Sequence, residues 1–246
     1  MPWWEFRIKN VIIFFAMEAL PMLVKHWMTK NVITVDTECT LERAIQIMSS
    51  NKIRMLPVLR NGALTGVVSD RDLKRASASD AVKGNEIDLN TLAHIKIHSI
   101  MSREPISVPY NYTIDETAEL LLEHKISGAP VVDDMNNLMG IITQTNIYKA
   151  FISLTGKRKD TVQFGVVVKD TRNSIKEIDE LLRHHGGRVM SILTSVDNLP
   201  EGYRKVFMRM SDIDSVRLYA ITEELQEKAE LIYIIDHRDN IRKVFM

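Results

Sequence analysis

The sequence from residue 40 to residue 72 reads TLERAIQIMSSNKIRMLPVLRNGALTGVVSDRD, and its pattern returns in residues 113–146, which read TIDETAELLLEHKISGAPVVDDMNNLMGIITQTN. In each copy a Thr precedes apolar residues at helical spacing, a Pro opens a Val-rich run, and a Gly lies within the last apolar run. Duplication on this scale indicates two copies of one structural unit. Each copy predicts the order strand, helix, strand, strand, helix.

Short-range signals support these elements. Thr40 and Thr113 are placed as helix N-caps, and Glu116, three residues after Thr113, completes a capping box. The pair Asn61 and Gly62 lies between two apolar runs, which is typical of a tight hairpin turn. Each unit therefore contains a β-hairpin that follows an amphipathic helix.

The end of each copy carries the candidate binding chemistry. Ser69 follows an apolar strand and is three residues before Asp72, and Thr143 stands in the same relation to Asn146. A hydroxyl residue where a strand becomes a helix presents free N–H groups to an anion, so both positions suit a phosphate. Asp72 and Asn146 could then accept hydrogen bonds from ribose hydroxyls. The alternative is an ordinary N-cap with a polar partner, which we prefer for either copy alone; two copies at one place favour a ligand.

The duplicated unit resembles a tandem pair of CBS domains, a Bateman module, whose nucleotide signature is Gly, two apolar residues, Ser or Thr, two residues, and Asp or Asn. The similarity covers residues 22–153. It implies two clefts between packed units, which bind AMP, ADP, ATP or an adenosyl compound as a regulatory ligand, and frequent assembly into flat dimers. The resemblance implies one cleft formed by Ser69, Asp72, Ser107, Ser127, Gly128 and Ala129, and another formed by Thr143, Asn146, Thr34, Arg54, Met55 and Leu56. Since Asn is the less common residue at position 146, the second cleft is expected to be the weaker one.

The last third of the chain has a different pattern. Strands are predicted at residues 162–168, 188–196, 203–210 and 231–236, and helices after Ser174 and over residues 213–226. Ser174 with Glu177 predicts a capping box, and Gly186-Gly187 predicts the end of that helix. The order βαββαβ is ferredoxin-like.

This third resembles an ACT domain, a small sensor of amino acids and similar metabolites. Asn173 stands where that family usually has a Gly beside its ligand, which weakens the expectation of amino-acid binding. A CBS pair followed by an ACT-like domain is similar to the acetoin-utilisation protein AcuB family.

The predicted fold class is α+β. The predicted organisation is an N-terminal extension at 1–21, which is either an overextended start or a loosely docked helix, CBS unit 1 at 22–80, a helical linker at 81–97, CBS unit 2 at 98–156 and the ACT-like domain at 160–246.

Composition and missing motifs limit the function classes. Lys plus Arg and Asp plus Glu number 32 each, so no global charge favours nucleic acid. The apolar run at residues 11–17 is too short to span a membrane, and the lone Cys39 excludes an intramolecular disulfide and a cysteine-built metal site. No motif of catalytic or metal-ligating residues occurs, so we expect no enzyme and no metal. The single Cys makes the cytoplasm the expected location.

The sequence therefore predicts a homodimeric regulator that senses an adenosyl ligand and relays its binding to the ACT-like domain or to a protein target. The alternative is a constitutive interaction or scaffold protein without a nucleotide ligand.

Overall fold

The structure is a computed structural model that describes residues 22–81, 94–156 and 159–245, with the backbone alone over 78–81. The N-terminal extension predicted at 1–21 and most of the linker predicted at 81–97 lie outside the described residues. The chain divides into two compact units, Met1–Ala150 and Phe151–Met246.

The first unit contains the two predicted copies, one after the other. Its first half consists of α1 (Val24–Trp27), β1 (Val35–Asp36), α2 (Leu41–Asn51), β2 (Met55–Arg60), β3 (Ala63–Ser69) and α3 (Asp70–Ala81). Its second half consists of a 3-10 turn (Ile97–Ser99), β4 (Ser102–Arg103), β5 (Val108–Pro109), α4 (Ile114–Glu123), β6 (Gly128–Val132), β7 (Leu138–Thr143) and the start of α5 (Gln144–Leu154), a helix that continues past Ala150 into the second unit. The predicted order of strand, helix, strand, strand, helix is confirmed in both halves.

Local sequence signals explain where these elements begin and turn. The Thr40 and Thr113 hydroxyls accept hydrogen bonds from the third residue of their helices, and Glu116 completes the predicted capping box. Asn61 and Gly62 have φ values of 52° and 82°, which a tight turn between twisted antiparallel strands requires. The hairpin of β2 and β3 therefore has the predicted turn.

The segment that leads into each half packs against the other half instead. These two lead-in segments are residues 24–29, before the first half, and residues 97–103, before the second. Strand β4 pairs with β3 of the first half, and Thr29 forms a bridge with Ile141 on β7 of the second half. The exchange extends to the cores: Val24 is buried in the core of the second half and Ile97 in the core of the first. Neither half is therefore a closed packing unit by itself.

Two glycines permit this exchange at close range. A Cβ atom at Gly66 would lie 2.5 Å from Met101 Sδ, and one at Gly140 would lie 2.5 Å from Met28 Sδ. Both distances are too short for real atoms, so the lead-in segments can approach β3 and β7 only at residues without a side chain.

The second unit is a separate five-stranded sheet with two helices. Its elements are β8 (Val162–Lys169), α6 (Ser174–His184), β9 (Arg188–Ser195), β10 (Tyr203–Ser211), α7 (Leu218–Lys228), β11 (Glu230–Asp236) and β12 (Ile241–Val244). The strand order is β12-β11-β8-β10-β9, and the neighbouring strands are antiparallel. The first six elements have the ferredoxin-like topology. Strand β12, at the edge beside β11, was not predicted, and membership of the ACT family stays a prediction.

Two local predictions in this unit are corrected. The capping box of Ser174 with Glu177 is wrong: Ser174 is the first residue of α6, its hydroxyl donates to the Thr171 carbonyl, and the N-cap is Asn173 with φ −109°. The helix predicted from residue 213 begins at Leu218, because Ile213 is buried in the core and a 3-10 turn intervenes. The end of α6 before Gly186, which has φ 88°, is as predicted.

Candidate functional site: a cleft at the start of helix α3

Ser69 and Asp72 are held together where strand β3 becomes helix α3. The Ser69 hydroxyl and backbone N–H both donate to Asp72 Oδ2, at 2.6 and 2.9 Å, and the Asp72 N–H faces Ser69 Oγ at 3.3 Å. This reciprocal arrangement is a capping box, so the N-cap alternative is part of the geometry. Thr143 and Asn146 have the same arrangement, with a hydroxyl to Oδ1 distance of 2.6 Å.

The cap uses only one oxygen of the Asp72 carboxylate. Among the described residues, Asp72 Oδ1 accepts no hydrogen bond, and the side chain is only partly exposed. A carboxylate has lone pairs on both oxygens. Asp72 can therefore stabilise the helix through Oδ2 and accept ligand hydroxyls through Oδ1.

A cleft of about 710 Å³ lies beside this helix start. Small-molecule sites in proteins have volumes of about 300 to 1,000 Å³, so the cleft can hold a nucleotide-sized ligand. Its wall comes from both halves of the first unit. The lining residues are Arg54, Met55, Val67, Ser69, Asp70, Arg71, Asp72, Arg75, Ser102, Arg103, Glu104, Pro105, Ile106, Lys125, Ile126, Ser127, Gly128, Pro130 and Gln144.

Basic side chains outnumber carboxylates in the cleft. The carboxylates are Asp70, Asp72 and Glu104, and Asp70 is already paired with Lys74 at 2.8 Å. An excess of positive charge in a concave site favours an anionic ligand. The basic residues are Arg54, Arg71, Arg75, Arg103 and Lys125.

Four of the six residues predicted for the first cleft line it together: Ser69, Asp72, Ser127 and Gly128. Ala129 does not, because successive residues of a strand face opposite sides and this one is buried in the core. Ser107 is also absent from the lining, although its neighbour Ile106 belongs to it. The cleft therefore combines one helix start with a loop and strand from the other half.

Arg54 and Met55 were predicted for the other cleft, and the structure places them in this one. Met55 pairs with Ser69 across the hairpin, and the Asp70 N–H donates to the Arg54 carbonyl at 3.0 Å. Strand pairing within one half thus brings them to Asp72. Leu56, the next residue, is fully buried in the core and lines no part of this cleft.

The second predicted site has a different environment. Thr143, Asn146 and Thr34 are not in the lining of this cleft. The Asn146 amide nitrogen donates to the Trp27 carbonyl at 2.9 Å, while its oxygen completes the cap of α5. Both ends of the amide therefore have protein partners, whereas the Asp72 carboxylate has one oxygen left over.

Sequence reasoning missed most of the basic residues. Arg71 and Arg75 are four residues apart around Asp72, so their helical spacing was a usable signal. Arg103 and Lys125 are far from Asp72 in sequence, and no local pattern could place them there.

Other kinds of site are not apparent in the part of the chain that the structure describes. No group of three His, Cys, Asp or Glu residues there could hold a metal ion, and no helix there is long and apolar enough to cross a membrane. Burial raises the pKa of the Cys39 thiol, which lowers its reactivity.

Comparison with known proteins agrees with the repeat. The CBS domain family model matches residues 24–79 and 97–153. A CBS domain-containing protein of Dictyostelium discoideum is 32% identical over 137 residues, which are 55% of this chain and 94% of that protein.

Two solved structures are similar over the same part of the chain. CBSX2 of Arabidopsis thaliana in complex with AMP is 30% identical, with a TM-score of 0.45. The matched region is 53% of this chain and 96% of the CBSX2 chain. A Vibrio cholerae protein assigned to acetoin utilization (AcuB) is 29% identical, with a TM-score of 0.46. The matched region is 54% of this chain and 91% of the Vibrio chain.

Proposed function

The chain belongs to the CBS domain family, with two CBS domains in tandem, and we propose that it is a regulatory protein that senses an adenine nucleotide or adenosyl compound. The observation that carries this proposal is the free Asp72 Oδ1 beside a cleft of about 710 Å³ at a helix N-terminus.

Each part of an adenine nucleotide has a suitable partner in the cleft. Asp72 Oδ1 accepts the ribose hydroxyls, and the positive end of the α3 dipole, together with the basic side chains of the cleft, holds a phosphate. Apolar side chains, which include Met55, Ile106 and Ile126, offer a surface for the base.

The same cleft suggests how binding is transmitted. A ligand held by Ser69 of the first half and by Gly128 of the second would stabilise one arrangement of the two halves. Helix α5 begins at Gln144, in the cleft wall, and ends at Leu154, in the segment that leads to the ferredoxin-like unit. We propose that α5 relays binding to that ACT-like unit or to a protein target.

The proposal is tested by measuring AMP and ATP binding to Asp72→Ala by titration calorimetry. We expect a loss of about tenfold or more in affinity, because a hydrogen bond to a charged group contributes about 1.5 to 3 kcal/mol. The matched control is Asn146→Ala, which removes the equivalent helix cap and should leave this affinity nearly unchanged.

Thermal unfolding of both variants shows whether a loss of affinity is due to a loss of stability. Each variant loses the same kind of helix cap, so their melting temperatures can be compared directly. Equal affinities of the parent protein and Asp72→Ala would rule out the role of Asp72. Equal losses in both variants would instead indicate two equivalent sites.

One observation favours the alternative of a constitutive scaffold: Asp72 already has a structural role as a capping residue. A thermal-shift screen against adenine nucleotides, adenosyl compounds and amino acids distinguishes the two functions. A ligand at 100 times its dissociation constant adds about 2.7 kcal/mol to stability. A shift with none of these compounds would support the scaffold.

A further inference from the structure

We infer that the cleft at the start of α3 selects nucleotides with a polyphosphate tail over a monophosphate and over cationic adenosyl compounds. The inference rests on the proposed function, because it names which member of the ligand class the site prefers.

The first observation is that the basic side chains of the cleft have no partners among the residues that the structure describes. Among the described residues, none of the five forms an ion pair or a side-chain hydrogen bond. Some cations elsewhere among the described residues are paired, as in Arg183 with Asp179 at 2.9 Å and Arg204 with Asp170 at 3.0 Å, but those cations are not gathered around one cleft. Unpaired like charges around one concave site repel each other, and a bound polyanion would relieve that repulsion.

The second observation is that these cations come from backbone positions that lie further apart than the width of a single phosphate group. Arg71 and Arg75 lie one turn apart on α3, on the same side of the helix. Arg103 is paired with Gly66 on β3, three residues before Ser69 and thus about 10 Å along the strand. A tail of two or three phosphates can therefore contact both groups of cations at the same time more readily than a single phosphate at the helix start.

The repeat provides an internal comparison. Because Ser69 and Asp72 correspond to Thr143 and Asn146, the positions of Arg71 and Arg75 correspond to Thr145 and Lys149 on α5. The repeated unit therefore does not require an Arg at either position. Two arginines beside the residue with the free carboxylate oxygen are a property of the α3 site.

Charge also argues against a cationic ligand. A sulfonium group, as in an adenosyl methionine compound, would bring positive charge to a wall that carries five basic side chains. Like charges within a few ångströms disfavour binding, whereas each further phosphate adds charge-assisted hydrogen bonds to Arg.

The test is titration calorimetry of the full chain with AMP, ADP, ATP and sodium tripolyphosphate in one low-salt, metal-free buffer. We expect ATP to bind about tenfold or more tightly than AMP, from one or two extra charge-assisted contacts. Arg75→Gln should remove most of this difference, because it lowers the affinity for ATP more than the affinity for AMP. Lys149→Gln, at the corresponding exposed position of α5, should change neither affinity.

The outcomes separate this inference from the proposed function. AMP binding as tight as ATP binding, or an unchanged ATP affinity in Arg75→Gln, overturns the inference and leaves adenine sensing intact. Binding of none of the three nucleotides contradicts the proposed sensing of adenine nucleotides itself. In that case, tripolyphosphate binding that Arg75→Gln abolishes would still support the anionic subsite. Melting temperatures of the two variants confirm that both are folded.

Discussion

The two oxygens of the Asp72 carboxylate have different surroundings. Oδ2 caps helix α3, and Oδ1 faces a cleft with an excess of basic groups. Asn146 shows that an amide can perform the first task, because its oxygen makes the same cap on α5. The cap alone therefore does not require a carboxylate at position 72, which is consistent with the proposed role of Asp72 in ligand binding.

A buried ion pair in the second unit makes stability depend on pH. Asp236 is almost completely buried, and both its oxygens accept hydrogen bonds from the Arg238 guanidinium, at 2.9 and 2.6 Å. These bonds lower the pKa of the Asp236 carboxyl below its usual value of about 3.9.

The direction of the effect follows from that lowered pKa. The ion pair stabilises the folded state at pH values above the unfolded pKa, and its contribution is lost as the pH falls through the lower, folded pKa. We expect Asp236→Asn to reduce the free energy of unfolding by about 2 kcal/mol at pH 7 and to weaken the destabilisation that sets in as the pH falls below about 4.

Calorimetric unfolding at several pH values measures both quantities. Asp170→Asn is the control, since its ion pair with Arg204 is exposed and should contribute less than about 1 kcal/mol. A parent and an Asp236→Asn variant with the same stability at pH 7 would contradict the prediction.

At the scale of elements, the close contacts of the lead-in segments depend on two glycines. Gly66→Ala places a Cβ 2.5 Å from Met101 Sδ and 2.9 Å from the Ser102 carbonyl oxygen. The methionine can move, but the carbonyl belongs to the strand pair of β3 and β4. We expect a loss of about 1 to 3 kcal/mol in the free energy of unfolding, measured by urea denaturation.

Gly140→Ala should cost a similar amount, because the Thr29 carbonyl oxygen lies at the same 2.9 Å. Thr65→Ala, on the same strand as Gly66, is the control and should cost less. If both glycine variants were as stable as the parent, the lead-in segments would not be held as tightly as described.

At the scale of the whole molecule, helix α5 carries an exposed stripe of large apolar side chains. Tyr148, Phe151 and Ile152 are 62%, 58% and 52% exposed, and they lie at i, i+3 and i+4 on one helix. Aligned apolar side chains of this size on a surface are typical of an interface. We therefore propose a homodimer formed through α5.

Light scattering at micromolar concentration should give the mass of a dimer for the parent chain and of a monomer for Phe151→Lys, since a charge at an apolar contact is unfavourable. Val216→Lys, at a position 86% exposed in the second unit, should remain dimeric. A monomeric parent chain would refute the proposal. A shortened chain ending at residue 157 that is still dimeric would place the interface in the CBS pair.

The sequence by itself determined the features that depend on near neighbours. The repeat, the caps at Thr40 and Thr113, the hairpin turn at Asn61 and the link between Ser69 and Asp72 were all readable. Each of them depends on hydrogen bonds or φ values within a few residues, and the residue types themselves carry that information.

Only the tertiary structure decided which distant segments meet. It placed Val24 in the core of the second half and Ile97 in that of the first, and it brought Arg54 into the cleft with Asp72. It also joined Arg103 and Lys125 to that cleft from distant parts of the chain. An apolar pattern states that a face must be buried but does not specify the partner that buries it, because burial is non-directional and any complementary apolar face satisfies it.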